Sequence, residues 1–201
     1  LSSAQKRIYY TNSMTGHDSI VYNLPGGLIV KDILDVKKVE DTFNKLIEKH
    51  SSFRTSFKLV DNKPMQFIEK NIKIKIDLKH ASSKDMKKII DNFPSPFDLA
   101  TAPLLHVEMY ILDNCKTLIL IDTHHIIVDG TSLNIMIRDF CNIYNNVDTV
   151  TSANQISYKD FSVWENRQIS SEKQSSIENY WLSKFQNRQI PVLDLPYDYS
   201  R

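Results

Sequence analysis

The sequence predicts an α/β or α+β fold, a sheet with helices packed on it. Three observations carry that reading. Val36, Val39, Phe43, Leu46 and Ile47, and again Leu133, Met136, Ile137, Phe140 and Tyr144, recur at the spacing that lines one face of a helix. Ile72, Ile74 and Ile76 alternate as a half-buried strand does, and Leu118-Ile119-Leu120-Ile121 form a strand-like apolar run. Strands and helices are mixed along 201 residues, a length for one large domain or two small ones.

The elements follow in order. Ser2 as N-cap and Gln5 three residues on make a capping box, which opens a short helix through about Thr11. Tyr22 to Val30 reads as a strand with a turn or bulge inside it at Pro25-Gly26-Gly27. Asp35 caps an amphipathic helix over 36–50. Phe53 to Leu59 and Met65 to Glu69 form a strand pair around Asp61-Asn62, and the alternating isoleucines give the next strand. A helix over Ser83 to Phe93 precedes an irregular connection marked by Pro94, Pro96 and Pro103. Leu104 to Leu112 and Thr117 to His124 are strands joined near Asp113-Asn114. A strong helix starts near Thr131, a polar loop spans 146–156, and 158–168 and 172–187 are helical. From Gln189 on, Pro191 and Pro196 mark an extended connector.

Composition narrows the function. The chain is 41% hydrophobic and 24% charged, enough apolar content for a buried core. A net charge of +1 gives no electrostatic case for nucleic acid or an anionic membrane. No apolar run approaches the roughly 20 residues that span a bilayer. Leu1 opens directly into a helical segment with no signal peptide, and a first residue other than Met reads as a piece of a longer protein. Cys115 and Cys141 have no metal-type spacing and read as reduced thiols of a cytoplasmic protein.

The chemistry concentrates at His124-His125-Ile126-Ile127-Val128-Asp129-Gly130. Imidazole exchanges protons near neutral pH without a large pKa shift. Successive strand side chains point to opposite faces, so one histidine is structural while the other can reach a cavity. A metal site is disfavoured, because i, i+4 spacing and a nearby Cys/His/Asp cluster are both missing. The bland reading is a pair of hydrogen-bonded core histidines. Asp129-Gly130 weighs against it: Asp129 can hold a cation or cap the next helix, and Gly130 lets the backbone approach a ligand or adopt φ > 0. Ser132, in that helix's first turn, can meet a developing oxyanion through N–H and hydroxyl.

Four segments together carry a resemblance. His124-His125-x-x-x-Asp129-Gly130 resembles the HHxxxDG motif of the condensation-domain and chloramphenicol-acetyltransferase-like superfamily. Ser2-x-Ala4-Gln5-x-Arg7-Ile8-Tyr9 is similar to that family's opening motif, and His50-Ser51-Ser52-Phe53-Arg54-Thr55-Ser56-Phe57 to its second. Tyr158-Lys159-Asp160-Phe161-Ser162-Val163-Trp164 resembles a fourth. Lys49 and Ser51 replace the usual Arg and Glu of the second motif, and Thr123 stands where Met is common. The resemblance is to condensation domains of nonribosomal peptide synthetases. It implies a chloramphenicol-acetyltransferase-like lobe, an α/β (α+β) sandwich with a mixed sheet. Residues 1–188 would be the N-terminal lobe of a two-lobed domain, and 189–201 the connector toward its C-terminal lobe.

The resemblance also implies a reaction. An acceptor amine attacks a donor acyl or peptidyl thioester, both carried on phosphopantetheine arms of upstream and downstream carrier domains. No cofactor or metal is bound by the domain itself. An adenylation domain adjoins it in the parent synthetase, and neither nucleic acid nor membrane is a partner. His125 takes the active position and His124 the inward one, with Gly130 and Ser132 lining the acyl site. Asp129 is expected to be an ion-pair anchor with Arg54 or Arg7, Arg54 foremost. Trp164 and Tyr158 are read as core. An epimerisation domain shares the motif but carries Trp where Leu133 stands here. A non-catalytic docking lobe usually lacks the histidines.

Overall fold

The computed structural model describes residues 1–16, 18–147, 156–169, 172–186, 188–190, 196 and 198–199. Most of the expected connector from 189 onward, and most of the expected polar loop, lie outside the described residues. Helix α1 (Ser3–Thr15) starts at the expected capping box: the Ser2 hydroxyl accepts from Gln5 N, and Gln5 Oε1 from Ser2 N, each at 3.1 Å. It runs past Thr11 to Gly16, whose φ of 91° ends it. Strand β1 (Gly26–Val30) is shorter than expected, and Gly26-Gly27 lie within it rather than in a turn. Gly27 is needed for close approach, since a Cβ there would stand 3.0 Å from the Leu120 side chain on the neighbouring strand.

Helix α2 (Val36–Lys49) is capped by Asp35, whose carboxylate accepts from Lys38 N at 2.8 Å. After a 3-10 turn at Ser51–Arg54, strands β2 (Thr55–Val60) and β3 (Lys63–Ile68) form a separate hairpin. Both turn residues, Asp61 and Asn62, have positive φ, as a two-residue hairpin turn requires. The alternating isoleucines do not make a strand. Ile72, Ile74 and Ile76 pack on the core, but the backbone of 74 and 76 bonds to side chains of α2: Asn44 is paired with Ile74, and Glu40 accepts from Ile76 N at 2.9 Å. Alternation reported burial of one face; it did not report what satisfies the backbone.

Strand β4 (Leu78–Ala81), helix α3 (Met86–Asn92), and strands β5 (Leu105–Leu112) and β6 (Thr117–Thr123) follow. The main sheet runs β1-β6-β5-β4, antiparallel except for the parallel β4–β5 pair, so it is mixed. Helix α4 (Gly130–Tyr144) packs with α2 on one face around Phe43, Met109, Ile119 and Phe140. On the other face Phe93 and α3 cover Tyr110, Leu118 and Leu120. Every residue of β6 is therefore buried, with its apolar run coated on both sides. A smaller cluster of Phe57, Phe97, Leu99, Leu104 and Ile126 ties the hairpin to the end of β6. Helices α5 (Tyr158–Ile169) and α6 (Glu172–Phe185) are the last described elements.

Candidate active site

Strand β6 delivers the two histidines to opposite environments. His124 is 1% exposed, and its Nδ1 accepts from Ile126 N at 3.2 Å, which leaves the hydrogen on Nε2. Burial first, then the neighbouring His125 charge, pushes its pKa down to about 4, so it is neutral at physiological pH. His125 begins the turn and is exposed. Its backbone N donates to Tyr22 O at 2.8 Å. Its Nδ1 lies 2.9 Å from Val128 O. A carbonyl oxygen only accepts, so Nδ1 carries the hydrogen and neutral His125 holds its lone pair at Nε2.

Asp129 caps α4 and accepts from Ser132 N at 2.8 Å and from the Ser132 hydroxyl at 2.6 Å. The Ser132 hydroxyl, then its N–H, holds the Asp129 carboxyl below the usual range. The expected ion pair is not formed: among the described residues neither Arg54 nor Arg7 bridges Asp129. Arg54 instead donates to Ile47 O at 3.0 Å and Glu69 O at 2.7 Å, joining the end of α2 to the exit of β3. Asp129 is exposed, so it needs no arginine to offset burial, and its negative charge is met by the helix start. Both Ser132 donors are used by Asp129, so the oxyanion role expected of them is not available in this arrangement. Gly130 has no positive φ and no atom within 4 Å of an added Cβ; it leaves open space rather than relieving the backbone.

A cavity of about 190 Å³ opens beside His125. Its walls include Gln5 and Ile8 of α1, Ser52 and Thr55 of the second motif, Asp129 and Ser132, and Tyr158 of α5. The four segments singled out in the sequence thus meet at one place. Gln5 Nε2 donates to Ile126 O at 3.2 Å, fastening α1 to the histidine turn. The Ser2 and Tyr158 hydroxyls are 3.0 Å apart, and Glu165 accepts from Ser3 N at 2.7 Å, fastening α5 to α1. Tyr158 and Trp164 are 45% and 56% exposed, so neither is core as expected. Among the described residues no cluster of three His, Cys, Asp or Glu can hold a metal, and no helix is long and apolar enough to cross a membrane.

Two groups were not anticipated. Asp139 is buried on α4, with its Oδ2 2.8 Å from Lys49 Nζ and 2.8 Å from His50 Nε2. Burial pushes its carboxyl up, but hydrogen bonds from Lys49 and His50 outweigh this and hold it low. The cluster ties α4 to the end of α2, directly ahead of the 51–54 turn that walls the cavity. Its signal was an aspartate on the apolar face of Met136 and Phe140. The second is Asp122, fully buried within β6 next to the apolar run and bonded to Asn23.

Comparisons place these features among known proteins. The family described as Condensation domain matches residues 1–201. Gramicidin S synthase 2 of Aneurinibacillus migulanus is 38% identical over 201 residues, all of this chain and 4% of that protein. Surfactin synthase subunit 2 of Bacillus subtilis is 37% identical over the whole chain, which is 5% of its length. In structure, the X-domain from teicoplanin biosynthesis, solved in complex with OxyB, superposes with a TM-score of 0.82 at 18% identity, over 100% of this chain and 46% of that one. The starter condensation domain of the rhizomide synthetase gives 0.77 at 18% identity, over 95% and 48%. The chain therefore spans a small part of the synthetases it matches and about half of the solved domains.

Proposed function

The chain belongs to the condensation-domain family, and from that premise we propose that residues 1–188 are the N-terminal lobe of a peptide-bond-forming domain in a nonribosomal peptide synthetase. The single observation that carries the reading is the 2.9 Å separation of His125 Nδ1 and Val128 O, from which the tautomer follows. Val128 O holds the hydrogen at Nδ1 and leaves the Nε2 lone pair for an incoming amine. The acceptor's α-amine attacks the donor thioester carbonyl. A C–N bond forms, the C–S bond breaks, and the thiol leaves on the donor's phosphopantetheine arm. His125 Nε2 takes the amine's proton or holds the amine by a hydrogen bond; both roles use the same lone pair. His124, neutral and buried, supports the turn. Asp129, with Gly130 and Ser132, shapes the helix start that walls the acyl site.

The same reading supplies the partners: an upstream and a downstream carrier domain, each bringing phosphopantetheine, an adjacent adenylation domain, and a C-terminal lobe entered through 189–201. This reading calls for no cofactor resident in the lobe itself. The exposed, unpaired thiols Cys115 and Cys141 suit the reducing cytoplasm. The fold by itself does not decide activity, which rests on the site it carries. The His125 geometry favours chemistry over docking. Leu133, where an epimerisation domain carries Trp, packs on the core instead.

In the intact two-lobed domain, His125→Ala is expected to lower dipeptidyl transfer between loaded carriers by roughly 10²-fold or more, the scale of a positioned acid–base group. Transfer within about threefold of wild type, with folding intact, overturns the assignment. The lobe alone is expected to give no dipeptidyl thioester above background.

A further inference from the structure

Behind the His125 turn lies a buried polar cluster that the proposed reaction does not use. Asp122 shares the sheet face of Leu118 and Leu120, opposite the main core. Asn23 stands across from His124 in an isolated bridge, and its amide donates to Asp122 Oδ2 at 2.5 Å and to Ser95 O at 2.8 Å. On β5, His106 stands across from Asp122, with its Nδ1 3.0 Å from Ser95 Oγ and its ring stacked on Phe97 at 4.4 Å.

Three buried atoms of this cluster have no protein partner: Asp122 Oδ1, Asn23 Oδ1 and His124 Nε2. The two oxygens are acceptors. Nε2 is a donor, because His124 Nδ1 accepts from Ile126 N. Strand alternation and the bridge put all three residues on one face. A fourth such atom, Thr123 Oγ1, belongs to the opposite face. Buried polar groups are almost always hydrogen-bonded. One water that accepts from Nε2–H and donates to both oxygens would satisfy the three together, within the two to four partners that buried waters take.

We propose that Asp122, Asn23 and His124 hold one buried water, and that this clamp is the positioning unit for His125. It joins the three segments that meet at the histidines. Through Asn23 it grips the 20–24 turn, where Tyr22 O receives His125 N and Leu24 N donates to Thr123 O, each at 2.8 Å. Through Ser95 it grips the proline-marked loop, whose Leu104 O receives His124 N at 3.3 Å. A ring that must meet a reacting amine at hydrogen-bond distance depends on such a frame, because small misplacements are costly to rate.

The proposal rests on the role given above to His125, so its test begins with a readout independent of catalysis. In nitrogen-15 NMR of this chain, His124 is expected as the Nε2–H tautomer. Its ring N–H should exchange at least about tenfold more slowly than that of His125 and show magnetisation transfer from a long-lived water. Asn23→Ala is expected to abolish the water signal. A His124 Nδ1–H tautomer, or no long-lived water in the wild type, overturns the clamp. In the intact domain, Asp122→Leu is expected to lower kcat by roughly tenfold or more with KM within about threefold, and Asp122→Asn, whose amide oxygen still accepts from Asn23 while its NH2 donates to the water, to restore most of it. Unchanged kcat in Asp122→Leu overturns the positioning role; where that variant does not fold, Asn23→Ser decides by the same split. A clamp seen by NMR in a domain whose His125→Ala variant stays active would leave the clamp standing and remove the reading of His125.

Discussion

Helices α2 and α6 are each 14 residues long, and both carry aromatic and aliphatic side chains at helical spacing, yet they end in opposite states. On α2, Val39, Phe43, Leu46 and Ile47 are buried against the sheet, and Phe43 meets Phe140 with ring centroids 5.0 Å apart. On α6, Ile177, Tyr180, Trp181, Leu182 and Phe185 are exposed, and no described side chain of that helix is buried. The contrast teaches what an apolar helix stripe does and does not state. It states that a face is to be covered. It does not state whether the cover lies in the same segment of chain. The α2 stripe is answered by β5, β6 and α4. The α6 stripe stays exposed among the described residues.

The sharpest way to break this contrast is to truncate one aromatic on each helix. Phe43→Ala removes a ring that is 1% exposed in the main core. It is expected to cost about 3–5 kcal/mol by urea denaturation of the isolated chain, the usual range for a large buried aromatic. A loss under about 1 kcal/mol would mean that the α2 core is not tightly packed, and the two helices would no longer differ in kind.

The next effect tests how deeply the histidine strand shares that buried state. His124 has its pKa pushed down to about 4 by burial, then by His125, against about 6.5 in an unfolded chain. Below pH 6.5 the unfolded state binds the proton and the folded state resists it. Stability from this group is therefore complete above about pH 6.5 and is lost as pH falls toward 4, by about 3 kcal/mol in all. Denaturation midpoints at pH 7.5 and 4.5 should show most of that loss in the wild type and much less in His124→Asn. Equal losses in both proteins would place His124 in water rather than in the core.

Much of this was legible in the sequence because periodicity and capping are local. The Ser2–Gln5 box, the Asp35 cap, the Asp61-Asn62 turn and the α2 face follow from residues a few positions apart, and the structure keeps them; of the α4 face it keeps Met136 and Phe140 buried but leaves Ile137 exposed. One buried and one exposed histidine is what strand alternation leads one to expect, although His125 already begins the turn. What failed depended on partners distant in sequence. The isoleucines at 72, 74 and 76 kept their burial and lost their strand, because Glu40 and Asn44 satisfy that backbone. The Asp129–Arg54 pair failed because the Ser132 N–H and hydroxyl at the helix start satisfy the exposed Asp129 carboxylate, and Arg54 had the carbonyls of Ile47 and Glu69 to serve. Asp122 and Asp139 were visible as carboxylates set among apolar neighbours; their partners Asn23, Lys49 and His50 were not.

The smallest effect closes the comparison from the other side. Trp181 is 56% exposed, stacked on Phe185 and edge-on to Tyr180. Because more than half of Trp181 stays exposed among the described residues, Trp181→Ser should change the stability of the isolated chain by no more than about 0.5 kcal/mol, as surface substitutions do. The same change should reduce self-association, since a contiguous exposed apolar patch is a surface that seeks a cover. Sedimentation of wild type and variant across a concentration series measures the second effect, and urea denaturation the first. A loss above about 2 kcal/mol in Trp181→Ser would show that α6 is packed within this chain after all, and the distinction between the two helices would fall. Near-neutral stability together with weaker association would instead mark the α6 aromatics as an interface: residues whose burial energy is spent only when a second surface arrives.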